Sequence, residues 1–150
     1  EPVEWDGRFW DWVNLPFYVA TYWSVFGVAF NLKEVMDHAY ADIEKHKLDA
    51  ERPLVLHREP ILFHGRILIL LSRFSDEVPC QMWSGRYYTR LFEGEYGDLI
   101  EFLEEFRKDL KGRRLELRDV LYHYPTCPDC IKRYKKMQVV IFGRVEDSQG

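Results

Sequence analysis

Two stretches of the chain place apolar residues at helical spacing: Leu32, Val35, Met36, Ala39 and Ile43, and then Leu99, Phe102, Leu103, Phe106 and Leu110. Each is preceded by a short polar residue with a glutamate three positions on, Asn31 with Glu34 and Asp98 with Glu101, the pattern of a capping box. Segments rich in aromatic, valine and threonine residues surround them and read as strands: 17–26 and 82–92 before the helices, 53–57 and 66–74 after the first, 115–124 and 137–145 after the second. The predicted order is strand, helix, strand, strand, twice over.

The two halves also align with each other. Gly27 maps to Gly94, Leu32 to Leu99, Glu34 to Glu101 and Ile43 to Leu110, always 67 positions apart. The last strands align at 71, so the second half carries four additional residues, in the segment holding Pro125, Cys127, Pro128 and Cys130. The expected fold is therefore α+β: one domain over residues 1–150, built from duplicated βαββ units at about 17–74 and 82–145. These form an antiparallel sheet with two helices on one face and an open ligand groove on the other, because two helices cover a single face.

Alternation along strands assigns side chains to the two faces. Leu115, Leu117 and Leu121 share a parity and are expected under the helices, with Thr89 and Tyr87. The opposite parity puts Tyr122 and Tyr124 on the open face, with Tyr88 and Arg90. The 67-residue offset adds Thr21 and Trp23 as the partners of Tyr88 and Arg90, and Trp83 walls the groove. Rings of this kind supply flat apolar area and cation–π contacts, and their polar tips fix orientation.

Composition narrows the function. Hydrophobic residues make up 47% and charged residues 31%, enough apolar material for a packed core. A net charge of -4 gives no basic excess to release counterions from nucleic acid. The longest apolar stretch, 15–30, is interrupted by Pro16, Thr21, Ser24 and Gly27 and is too short to span a bilayer; with an acidic first octet, no membrane partner and a cytoplasmic location are expected. Three cysteines do not close a disulfide framework. Cys127 and Cys130 supply two of the four ligands that tetrahedral zinc needs, and no second pair exists, so no metal or other cofactor is expected. The five histidines form no recognisable nucleophile–base motif, and no glycine-rich phosphate loop appears.

Trp83-Ser84-Gly85-Arg86-Tyr87-Tyr88-Thr89-Arg90, followed by Gly94-Glu95-Tyr96 and an amphipathic helix, resembles the second half of GyrI-like small-molecule-binding domains. The run from Tyr122 through Thr126-Cys127-Pro128-Asp129-Cys130 to Tyr134, and Phe17 to Trp23, are similar to a stand-alone branch of that family often labelled hydrolase. The resemblance implies a duplicated βαββ scaffold that binds an organic molecule between its repeats. It also implies hydrolysis of a reactive electrophile, with a tyrosine donating to the leaving oxygen and a held water attacking. Many members carry a glutamate near the position of Tyr122 to meet cationic ligands; this chain departs from that pattern with tyrosine there, so a preference for cations is not carried over.

The expected function is binding of a small organic ligand by Thr21, Trp23, Trp83, Tyr88, Arg90, Tyr122 and Tyr124, with hydrolysis in the same groove. Two alternatives stand beside it: a protein-interaction module using the aromatic face, and a thiol or zinc protein centred on Cys127 and Cys130.

Overall fold

The computed structural model describes residues 2–25, 28–29, 31–61, 64–125 and 136–148. It is a mixed α/β structure with two α-helices among the described residues and antiparallel strand pairing. The elements are β1 (Arg8–Val25), β2 (Val28–Ala29), α1 (Leu32–Lys45), β3 (Val55–Ile61), β4 (His64–Leu70), β5 (Cys80–Gly94), α2 (Leu99–Gly112), β6 (Leu115–His123) and β7 (Met137–Asp147). The chain divides into two compact units, one of residues 13–84 and one of residues 1–12 with 85–150. β1 and β5 each pass from one unit into the other, with Asn14 (φ 49°) and Gly85 (φ 139°) close to the points of passage.

In the unit of residues 13–84, β1 pairs with β4 and β4 with β3. Alternate residues Tyr18, Ala20 and Tyr22 of β1 face α1, together with Ile67 and Ile69 of β4. Ala39 and Ile43 of the helix close this core, both essentially without solvent exposure. In the other unit the corresponding order holds: β5 pairs with β7 and β7 with β6. Tyr88, Phe92, Tyr122, Val139 and Ile141 pack under Phe106 and Leu110 of α2.

The predicted capping boxes do not form: neither Asn31 nor Asp98 makes a side-chain cap bond. Both side chains have a closer customer. Asn31 Oδ1 accepts the backbone N–H of Trp23 at 2.6 Å, and Asp98 Oδ2 accepts that of Glu95 at 3.0 Å. Each side chain therefore pins the chain that enters the helix instead of the helix's own first turn.

The faces also need correcting. Tyr88, Tyr122 and the partly buried Tyr124 lie on the α2 side, and Arg90 ion-pairs with Glu105 and Asp109 of α2. For β6 the cause is a bulge. Leu117 pairs with Val145 but Asp119 with Arg144, so Arg118 is an extra residue that reverses the alternation. Leu115 and Leu117 stay under α2 as expected, whereas Leu121 turns away and Tyr122 turns in. For β5, parity separates the faces without saying which one a helix covers. Tyr88 and Arg90 can face α2 because Asp109 and Glu105 satisfy their polar ends.

The face of β5 and β7 away from α2 is not open either. Trp5, Trp10 and Trp12 cover it, Trp12 lying 4.3 Å from the ring of Tyr87 and Trp5 lying 5.1 Å from that of Phe142. Trp10 Nε1 donates to Thr89 Oγ1 at 2.9 Å, and Thr89 is fully buried.

Candidate functional site

On the unit of residues 13–84, the residues of β1 that alternate with the core-facing tyrosines are Val19, Thr21 and Trp23. Their partners on β4 are Leu68, Arg66 and His64, and the partners of Leu68 and Arg66 on β3 are Leu56 and Arg58. Directly paired residues of an antiparallel ladder share a face. The face away from α1 therefore changes character along its length: Val19, Leu68 and Leu56 form an apolar row, Thr21, Arg66 and Arg58 a polar one, and Trp23 and His64 end it.

Register here is held from the opposite face. Tyr22 pairs with Gly65, and a Cβ on Gly65 would collide with the Tyr22 ring. Glycine at that point lets the ring settle across β4, which fixes Trp23 opposite His64. The two rings lie 4.3 Å apart at 45°. Trp23 is 50% exposed, an unusual state for an indole, while Thr21, His64 and Arg66 are exposed as well. Half-buried Trp83 supplies a second ring, with the Arg58 guanidinium 5.6 Å from its centre. Thr21 also borders a shallow recess of about 370 Å³ shared with Asn31 and with Glu34 and His38 of α1.

Of the side chains expected to line a groove, Thr21, Trp23 and Trp83 thus belong to this unit, and the first two lie on one face. Tyr88, Arg90, Tyr122 and Tyr124 belong to the other unit, on its α2 side. There Tyr88 and Arg90 join Asp109 and Arg113 in a charged cluster that braces β5 against α2. Tyr88 donates to Asp109 at 2.7 Å, Arg113 Nε donates to Asp109 at 2.9 Å, and Arg90 comes within 3.5 Å of it. Burial and the bond to Asp109 push the Tyr88 hydroxyl up, against the pull of Arg113 and Arg90. Burial also acts to raise the Asp109 carboxyl, but bonds from Tyr88 and Arg113 and the charges of Arg113 and Arg90 outweigh it and hold the group below its ordinary range.

Arg58, His64 and Arg66 were not singled out by the sequence reading. The alternation His64, Arg66, Leu68 was available, but the continuous apolar run from Ile67 to Leu71 masks it, and a run of that kind gives no face. Cys127 and Cys130 lie outside the described residues. Cys80 is a half-buried free thiol packed against the α1 core, and no group of three His, Cys, Asp or Glu able to hold a metal occurs among the described residues.

The family model described as bacterial hydrolase matches residues 1–145, and the chain belongs to that family. Among solved structures it is similar to a hydrolase from Listeria innocua (TM-score 0.66, 11% identity, 95% of this chain and 92% of that one). It is also similar to an uncharacterized conserved protein from the same organism (TM-score 0.69, 12% identity, 95% and 93%). A third, the hydrolase encoded by lin2189 of Listeria innocua, gives a TM-score of 0.65 at 10% identity, covering 95% and 92%. At such identities the likeness is one of fold. No curated protein matches the sequence. No helix among the described residues is long and apolar enough to cross a membrane.

Proposed function

We propose that this chain binds a small organic ester or similarly activated electrophile against the Trp23–His64 face and hydrolyses it. The observation that carries the reading is the half-exposed Trp23 ring stacked 4.3 Å from His64. An indole left in water forgoes its burial energy, roughly 1.5–3 kcal/mol for a side chain of this kind, unless a ligand covers it. The membership in a hydrolase family supports the chemistry. Trp23 and Trp83 give the substrate flat apolar surface. His64 serves as general base: a water oxygen bonds to the electrophilic carbon, its proton passes to the imidazole, the bond to the leaving oxygen breaks, and the imidazole returns the proton to that oxygen. Thr21 is the diagonal neighbour of His64, about 7–8 Å away in such a ladder, a span that admits a water and a polarised carbonyl. Its hydroxyl then donates to the oxyanion that develops.

The GyrI-like kinship and a duplicated origin form part of this proposal. Their support is the equal element order of the two units and the pairing of first strand to last strand to middle strand in each.

The test is turnover of p-nitrophenyl acetate and related neutral esters by the purified protein. His64→Gln is expected to remove the enzymatic rate, and Trp23→Ala to raise KM with a smaller effect on kcat. Equal rates for both variants and the native chain would refute the reading.

A further inference from the structure

His46 caps the C-terminus of α1 and meets the segment of residues 71–79 that joins β4 to β5. Two contacts from that segment converge on it: Arg73 Nη2 donates to its carbonyl at 3.3 Å, and Glu77 Oε2 lies 3.6 Å from its ring Nε2. The segment is anchored near both ends. Ser72 N–H donates to the Leu48 carbonyl at 2.9 Å, Val78 packs into the α1 core, and the Pro79 carbonyl accepts from Val19 N–H. Between these anchors Arg73, Phe74, Asp76 and Glu77 are exposed.

The chemistry of the ring makes one of the contacts conditional. Nδ1 lies 2.9 Å from the Asp42 carbonyl oxygen, which can only accept, so Nδ1 carries the proton in neutral His46. Nε2 is then a bare lone pair turned towards the Glu77 carboxylate, an arrangement that repels. With a second proton Nε2 becomes a cationic donor, and the same approach attracts. The other groups around the ring bear on the same step. Asp42 Oδ1 lies 3.8 Å from Nδ1, and Tyr18 of β1 donates to the other oxygen of that carboxylate. The Arg73 guanidinium, opposite in sign, sits on the His46 carbonyl. The carbonyls that end α1 favour a cation at this position.

We propose that His46 is a proton-operated latch: protonated, it clasps residues 73–77 to the end of α1 through Glu77, and neutral, it lets them go. Histidine changes charge between pH 5 and 8, a window in which carboxylates stay ionised. The contact is therefore present at the acid end of that window and lost as pH rises. The anchors at Ser72, Val78 and Pro79 carry no titrating group, so the order of residues 73–77 changes while the fold persists. The latch is independent of the reaction proposed at Trp23 and His64.

Hydrogen exchange read by NMR tests it, expressed as protection factors that divide out the intrinsic pH dependence of exchange. In the native chain the Glu77 amide, which bonds Ser75 Oγ, is expected to be about threefold better protected at pH 5.5 than at pH 8, the worth of a partly exposed ion pair. That ratio is expected to fall to one in Glu77→Gln, a change at an exposed side chain, and in His46→Gln. The Val19 amide, held by Pro79, is the control and should keep one protection factor at both pH values. A native ratio near one overturns the latch. So does a ratio that survives in Glu77→Gln, which would assign the response to Asp42, and so does a Val19 amide that follows Glu77, which would mean that the whole unit loosens with pH.

Discussion

Tyr88 on β5 donates a 2.7 Å hydrogen bond to Asp109 on α2, beside the ion pair that Arg90 of the same strand makes with that aspartate. The other unit has the same device, Tyr18 on β1 donating to Asp42 on α1 at 2.9 Å. In each, a cationic or titratable side chain follows the aspartate by four positions: Arg113 lies 2.9 Å from Asp109, and His46 lies 3.8 Å from Asp42. A buried hydroxyl bonded to a carboxylate is worth about 1.5–3 kcal/mol. Tyr88→Phe is therefore expected to lower unfolding free energy by about 2 kcal/mol in urea titration, with the m-value unchanged. A loss near zero would mean that Arg113 and Arg90 satisfy Asp109 without the hydroxyl.

The same bonds set the alkaline limit of stability. Burial, then the bond and charge of Asp42, push the Tyr18 hydroxyl up from 10.0 to about 12. A group raised on folding favours the folded state while protonated. Its contribution is complete below pH 10 and declines as pH rises through about 12. Tyr18→Phe is expected to flatten the fall in stability across that window. Tyrosinate absorbance near 295 nm should show at least one hydroxyl that ionises only at the alkaline end, and normal titration of every tyrosine counts against the structure.

At the acid end the sign reverses. Asp109 is held below its ordinary value, so its stabilising share is present above about pH 4 and lost as pH falls below that. Asp109→Asn is expected to lower stability at pH 7 and to reduce the slope of stability against pH in the acid range. An unchanged acid slope would place the acid sensitivity elsewhere.

These tyrosines also show what could be read from the sequence and what could not. The helices begin at Leu32 and Leu99, 67 positions apart, as the apolar spacing predicts. Along the strands that offset does not hold for the tyrosines that bond the helix aspartates: these are Tyr18 and Tyr88, 70 apart, and not Thr21 and Tyr88. Helical periodicity is local and survives insertions; a shift of three residues between strand and helix exchanges the faces of a strand. The bulge at Arg118 exchanged them in β6 by the same arithmetic. Trp23 and Thr21 were located on the face away from α1, but Arg58, Arg66 and His64 come into view only with register, which depends on tertiary contacts such as Tyr22 over Gly65.

Gly143 offers a test of helix docking. It is paired with Tyr88, and an added Cβ would come 2.6 Å from the Phe106 ring and 2.7 Å from Leu117. The Phe106 ring is wholly buried and has no room to give way. Gly143→Ala is expected to cost about 1–3 kcal/mol through overpacking, seen as a lower midpoint in thermal and urea unfolding. A neutral result would show that α2 can shift on its strands.

Asn31 controls the placement of Trp23. Its Oδ1 accepts the Trp23 backbone N–H at 2.6 Å on the side of β1 away from β4, while β4 holds the other side through the pairing of Trp23 with His64. Removing the acceptor frees one edge of the strand at the residue whose ring stacks on the imidazole. Asn31→Ala is expected to cost about 1 kcal/mol of stability and to loosen the stack. The ring-current shift that the indole imposes on the His64 protons, read by NMR against Trp23→Leu as reference, should shrink. Asn31→Asp keeps the acceptor oxygen and should retain that shift. Because Asn31 reaches the reaction only through Trp23, its alanine variant should raise KM for aromatic esters more than it lowers kcat. Native His64 shifts in Asn31→Ala would show that the pairing with β4 alone holds the ring in place.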